Sequence, residues 1–286
     1  MRKRTVACFL AAVLLCGCGA EREPVETADP YKGMVQVESG YGTKMWVTEY
    51  DNVPVNRLSE SDFTNGKYTG TEFKVRRGID VSEHQGRINW SAVAEAGIDF
   101  AVIRAGYRGY GEAGTMRRDL YFLENMDGAL ENGIDTGVYF FSQATSAEEA
   151  EEEAAFLLEI LSPYKVADVT LPIYYDWEDI SQDSARTDGV HGDTITACAE
   201  AFCAKIREAG YTSGIYAYRY LGYFRYDLTR LQDCSLWIAA INSYPDFYYA
   251  HELWQYSSNG EISGITGPVD LDYWFEAIPK ENALFS

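Results

Sequence analysis

The sequence predicts an α/β chain that closes into one eight-stranded barrel preceded by an extended arm. Three observations carry this. From residue 77 onward, short apolar runs rich in β-branched and aromatic residues alternate with amphipathic helical stretches, the pattern of parallel βαβ units. Five such units are followed by three strands with little room for helices between them, which makes enough strands to close a barrel. The span 75–286 is also shorter than the roughly 250 residues of a full (β/α)8 barrel, as it would be if the last helices were missing.

The elements follow in order. Gly78-Ile79-Asp80-Val81-Ser82 is the first strand. Asn89 can cap the free N–H groups of a helix that passes through Trp90 and Val93 and stops at Gly97. The apolar run 100–105 is the second strand, and 120–130 is a helix closed near Gly133. Residues 137–141 form the third strand. The acidic amphipathic helix 147–161 presents its run of glutamates to solvent and stops at Pro163. Residues 171–177 are the fourth strand, 193–209 a helix ended by Gly210, and 214–218 the fifth strand. Residues 236–239, 253–256 and 269–272 supply the remaining three.

Ahead of the barrel, Arg2, Lys3 and Arg4 precede an apolar run over 6–15, about half of what a membrane span needs. These are the flanks of a secretory signal. Leu15-Cys16-Gly17-Cys18 resembles a bacterial lipobox, so Cys18 is the expected lipidation site after cleavage. We therefore expect a lipoprotein signal peptide at 1–18 and a flexible tether at 19–33. An extended arm with a hairpin at Gly40-Tyr41-Gly42 should fill 34–74, and the barrel 75–286.

Composition excludes several functions. With 44 acidic and 24 basic residues the formal net charge is -20. That disfavours a general nucleic-acid binder, which needs basic residues to displace counterions, and electrostatic docking to an anionic membrane. Beyond Cys18 the cysteines are Cys198, Cys203 and Cys234, an odd set and no disulfide framework. Cys198 and Cys203 lie about 140° apart around a helix and read as buried thiols, not a redox pair. His84, His191 and His251 lack metal-ligand spacing, so neither metal nor cofactor is expected.

Acids gather at strand ends: Asp80, Asp176 with Glu178, and Asp270 with Asp272. No basic side chain lies within these runs. In a closed barrel they converge where the strands end. Like charges crowded in a cleft raise at least one pKa, which leaves one neutral acid beside carboxylates, as glycoside hydrolysis requires. In Asp176-Trp177-Glu178 the two carboxyls share a face and Trp177 points into the wall. Glu178 should be held partly protonated, chiefly by Asp176. Tyr139, Phe141, Tyr216, Trp237 and Trp254 are candidates to stack on sugar rings, with core packing as the alternative for each. Tyr174, on the face of Asp176, should fill the interior. Asp272, at the parity of Asp270, is either an acid just behind the groups that touch substrate or a solvated group. Ser82 is expected to close the turn after Asp80, and His84 to be a loop histidine.

At these residues the chain resembles the glycoside hydrolase family 25 lysozymes. Asp80-Val81-Ser82-Glu83-His84-Gln85-Gly86 is similar to that family's opening motif, and Asp176-Trp177-Glu178 to its D-x-E. Trp254-Gln255-Tyr256-Ser257-Ser258, then Gly260, Gly264 and Val269-Asp270-Leu271-Asp272, are similar to its closing pattern, and 236–239 to the strand before it. The likeness spans 77–275. It implies a TIM-like (β/α)5β3 barrel and cleavage of the β-1,4 bond between N-acetylmuramic acid and N-acetylglucosamine in peptidoglycan. It also implies Glu178 as general acid/base and Asp176 as the group that orients the substrate's 2-acetamido group in a retaining reaction. Asp80 and Asp270 would set the pocket's charge and hydrogen-bond the sugar. The partners would be glycan strands and, through the lipid anchor, the cell membrane facing the wall, with the protein a monomer and no nucleic acid involved.

Two departures stand out: Asp272 where Asn is usual, and Ala240-Ile241-Asn242 where a Tyr is usual. The competing readings are another N-acetylhexosaminide glycosidase and an anchored peptidoglycan-binding protein. A chitinase-like D-x-D-x-E motif would need an acid where Tyr174 stands, and binding alone would need no acid/base pair.

Overall fold

A computed structural model describes residues 29–181 and 184–278. The chain divides into two units, 1–32 and 33–286. In the first, the described residues 29–32 make a turn in which the Lys32 N–H donates to the Asp29 carbonyl at 3.2 Å. The signal segment and Cys18 lie outside the described residues.

The second unit opens with an antiparallel hairpin, β1 (Met34–Glu38) and β2 (Lys44–Thr48). A two-residue pairing of β3 (Phe63–Thr64) with β4 (Lys67–Tyr68) follows. Then come β5 (Phe73–Val81), α1 (Trp90–Glu95), β6 (Phe100–Arg108), β7 (Met116–Arg118), α2 (Phe122–Glu131), β8 (Asp135–Ser142) and α3 (Ala147–Leu161). The remainder is β9 (Ile173–Trp177), α4 (Gly192–Glu208), β10 (Ser213–Tyr218), α5 (Arg219–Phe224), β11 (Ser235–Ala239), β12 (Leu253–Gly260) and β13 (Val269–Ala277).

Eight strands close the barrel. From β5 through β6, β8, β9, β10 and β11 to β12 each neighbour pairs parallel. The seam is made by β13, antiparallel to both β12 and β5. The sheet is thus a βα barrel only loosely. Helices α1 and α5 have six residues each, and among the described residues no helix lies between β11 and β13. The reversal of β13 also corrects the expectation of acids at strand ends. Asp270 is the second residue of its strand, and it reaches the same rim because that strand runs the other way, with Asp270 opposite Asp80.

Side-chain alternation builds two layers. Phe100 and Val102 of β6 point inward with Tyr139, Leu171, Tyr174, Tyr216, Trp237 and Leu253 to form a closed interior plug. Ala101, Ile103 and Ala105 point outward to the helices. Glycines make room for the large rings: a Cβ on Gly214 would lie 2.5 Å from the Tyr174 ring, and one on Gly78 2.2 Å from that of Phe100. Tyr174 therefore fills the interior, and the site must sit above it.

The arm covers the flank that has no helix. Phe63 packs edge-on to Trp254 and Phe275, with ring centroids 5.6 and 6.2 Å apart, and Tyr68 packs on Phe275. Tyr50 stacks on Tyr249. The Asn56 amide donates to the carbonyls of Pro245 and Phe247 at 2.7 and 3.0 Å. Strand β5 begins at Phe73, two residues before the expected barrel boundary, and pairs with β13 from its first residue. Helix α5 was not legible in the sequence, because a glycine among aromatics is a poor helix signal. Gly222 is there for packing: a Cβ would meet the Phe247 ring at 2.8 Å.

Candidate active site

A cavity of ≈ 460 Å³ opens where the parallel strands end. Asp80, Asp176, Glu178 and Asp270 all line it, together with Tyr139, Phe141, Tyr216 and Trp237. Eight of the ten barrel residues singled out from the sequence therefore share one pocket. Strand alternation aims Asp176 into it and buries Trp177 in the outer layer, where the indole N–H donates to the Ala144 carbonyl at 3.1 Å. Glu178 follows directly after β9 on the same side as Asp176.

Two candidates lie elsewhere. Trp254 faces out of β12, because Leu253 and Gln255 take the inward positions. It is fully buried, donates to the Ala240 carbonyl at 2.7 Å and packs against the arm, so it cannot stack on a ligand in the pocket. Asp272 lies beneath the pocket wall with no exposed surface, so it is neither solvated nor open to substrate. Its Oδ1 accepts from the Trp237 indole N–H at 2.9 Å, and its carboxyl is close enough to Asp80 to raise the pKa of that group.

Three further residues complete the site. Arg104, on the inward parity of β6, is among the described residues the one Arg or Lys lining the cavity. Its Nε donates to Asp119 at 2.8 Å and its Nη2 lies 3.2 Å from Glu83. Asp119 is fully buried and also accepts the Glu83 N–H at 2.9 Å, which fixes the guanidinium. Gln255 joins two strands across the pocket: it accepts from the Tyr216 hydroxyl at 3.1 Å and donates to Asp80 at 2.8 Å. An arginine at inward parity in an apolar strand was the available signal for Arg104, and the inward position after Trp254 was the signal for Gln255. Ser82 closes the turn after Asp80, accepting the His84 N–H, and the side chain of His84 lines the cavity.

The electrostatics follow from burial. Asp176 is raised well above the usual carboxylate range by burial, then by the Glu178 charge, with Arg104 opposing. Glu178 is raised by burial, with Asp270 and Asp179 adding to it. The hydrogen bond from Asp176 works in the opposite direction and eases Glu178 ionisation. Desolvation, not the charge of Asp176, is thus the chief cause of the Glu178 shift, contrary to the sequence expectation. Asp80 is raised by burial and then by Asp272 and Asp270, and Asp270 by burial. Asp272 is pushed up to about 8 by burial. The guanidinium nearest these five carboxyls is already engaged by Asp119 and Glu83, so protons must be retained among them at neutral pH.

A closed barrel with a pair of buried carboxyls of raised pKa at its rim defines a site suited to acid/base chemistry. The family model described as glycosyl hydrolases family 25 matches residues 79–265, and the chain belongs to that family. The autolytic lysozyme of Clostridium acetobutylicum is 27% identical over 204 residues, covering 71% of this chain and 56% of the relative. Lysozyme M1 of Streptomyces globisporus is 27% identical over 202 residues, covering 68% of this chain and 66% of the relative. The chain thus spans less than two thirds of the length of either curated relative. Among solved structures, the modular autolysin LytC of Streptococcus pneumoniae, in complex with a synthetic peptidoglycan ligand, superposes with a TM-score of 0.61. It is 28% identical, and the match covers 85% of this chain and 57% of LytC.

Proposed function

We propose that this protein is a peptidoglycan hydrolase that cleaves the β-1,4 bond between N-acetylmuramic acid and N-acetylglucosamine with retention, assisted by the substrate's own acetamido group. The observation that carries this reading is the pair Asp176 and Glu178, two residues apart on one side of β9, both lining the pocket and both raised by burial. Asp176 is buried while Glu178 is only half-buried, so Glu178 is placed to reach the leaving oxygen and Asp176 to orient the acetamido group, and we assign the nucleophile to the sugar.

In the free pocket the pair holds a proton. As substrate enters, Glu178 delivers a proton to the leaving oxygen while Asp176, ionised beside Arg104, accepts the acetamido N–H and steers its oxygen to the anomeric carbon. Glu178 then removes a proton from the water that opens the cyclic intermediate. Asp80, held by Gln255, and Asp270 hydrogen-bond the sugar hydroxyls, and Tyr139, Phe141, Tyr216 and Trp237 shape the walls. Mass spectrometry of fragments released from defined peptidoglycan tests the bond assignment: new reducing ends must be muramic acid. Glycan lacking the N-acetyl group on muramic acid should be cut far more slowly. Equal rates would make Asp176 a direct nucleophile, and an inverted product would sink both versions.

The Leu15-Cys16-Gly17-Cys18 sequence supports a lipid anchor at Cys18 that holds a monomeric enzyme on the membrane, facing the wall. A diacylglyceryl cysteine supplies by itself the two chains that stable anchoring needs. Lipid labelling that persists in Cys18→Ala would remove the anchor from the scheme.

A further inference from the structure

We propose that a second cleft on the rim, walled by Tyr220 and Phe224, binds a further sugar unit of the glycan strand; the proposal rests on the glycoside hydrolase reading and extends its substrate contacts. This cleft has a volume of ≈ 640 Å³. It is lined by Asp179 and Ile180, which directly follow Glu178, by residues 187–192, and by Tyr220, Phe224 and Arg225 of the β10–α5 side. Both cavities therefore lie on the same end of the barrel, next to one another around β9. A polymer seated in the catalytic pocket must leave it across the rim, and here the rim is a cleft.

The chemistry of the walls selects the occupant. Tyr220 and Phe224 stand one turn apart on α5, with ring centroids 5.4 Å apart, yet they are 53% and 47% exposed. Their partner Tyr223 is buried against Phe247, so the helix spends one aromatic on the core and leaves two facing out. In the same cleft Asp179 is held by two donors, Arg225 Nη1, which reaches both carboxylate oxygens at 3.1 Å, and the Tyr218 hydroxyl at 2.9 Å. Arg225 is itself fixed by the Val190 carbonyl at 2.7 Å and lies 5.5 Å from the centre of the Trp177 ring. The polar side is thus prepositioned, and with Asp188 also lining it the cleft holds two carboxylates against the one guanidinium of Arg225. Two exposed rings beside fixed donors and acceptors, with no free cation among the described residues of the cleft, match a neutral pyranose, which offers C–H groups on its faces and hydroxyls at its edge. A phosphate or an acidic peptide would need an uncompensated cation, and Arg225 is already paired.

The test reads binding and cleavage separately. In a Glu178→Gln background, calorimetry compares N-acetylglucosamine oligomers of two and of six units, with and without the pair Tyr220→Ala and Phe224→Ala. Both rings are exposed, and near-ultraviolet circular dichroism checks that the fold is kept. The six-unit oligomer should bind about tenfold more weakly in the double variant, while the ratio of six-unit to two-unit affinity falls by about the same factor. Tyr220→Phe, which keeps the ring, should restore most of that ratio. A ratio that stays within twofold of the parent overturns the proposal, and so does loss of affinity that is equal for both lengths. Failure of the wild-type protein to cut peptidoglycan would instead count against the glycosidase reading, because the binding ratio does not depend on turnover.

Discussion

Replacing Asp272 by Asn should make the protein more stable, and increasingly so as pH rises. Asp272 has no exposed surface, accepts one hydrogen bond from Trp237 and lies close to Asp80. Burial pushes its carboxyl from 3.8 to about 8. An acid whose pKa is raised on folding keeps its proton in the native state while the unfolded chain releases it. Unfolding stability therefore falls with pH from about 4 to about 8. At one unit per roughly 1.4 kcal/mol, the contribution lost by pH 7 is about 4 kcal/mol, and above pH 8 about 6 kcal/mol. Asn keeps the oxygen that accepts from Trp237, and it carries no charge at any pH. Urea unfolding at pH 4, 7 and 9, followed by tryptophan fluorescence, measures the difference between variant and wild type. The gap should be near zero at pH 4 and widen steadily to pH 9. A gap that does not change with pH, or one that favours wild type as pH rises, would refute the argument that this carboxyl is buried with its proton.

Three other outcomes follow from the site. Glu178→Gln keeps the shape of the side chain but cannot exchange a proton, so kcat should fall about 10²–10⁴-fold in a reducing-end assay; near-wild-type turnover would contradict its role. Arg104→Leu leaves Asp119 buried without its cation and should cost about 3–5 kcal/mol by denaturant titration. It also removes the positive neighbour that lowers Asp176, so the acid limb of the pH–rate profile should move to higher pH, and a move to lower pH would speak against that coupling. Trp254→Phe loses the bond to Ala240 and should cost about 1–2 kcal/mol. Its KM should match wild type, and a raised KM would return Trp254 to the pocket.

Much of the site was legible because strand alternation is a strict rule. Once 171–177 reads as a strand, Asp176 and Glu178 share a face and Trp177 does not. The same rule, applied one residue along, would have found Gln255 and turned Trp254 outward. What misled there was chemistry, since a tryptophan near a strand end looks like a sugar platform. Alternation is blind to direction, so nothing in 269–272 could announce that β13 runs backwards. Arg104 was read as part of an apolar strand, and its meaning depends on Asp119, whose carboxylate reaches it from beyond β7. The contacts of the arm were out of reach for a different reason: the partner of Phe63 is Trp254, and no local pattern connects them.

That separation bears on how the chain folds as it is made. The arm is synthesised early, yet its docking surface comes last: Asn56 bonds to Pro245 across 189 positions, and Tyr249 to Thr48 across 201. Strand β5 waits in the same way for β13, which closes the ring at Arg76 opposite Trp274. Contacts this distant make folding slow, because the loop must close before any of them repays its entropy. Until residues 253–277 have emerged, Phe63 and Tyr68 have no ring to pack against and remain open to misassociation. Sealing the barrel and docking the arm then become a single late event, and the aromatic flank that lacks a helix is also the chain's nascent-state liability.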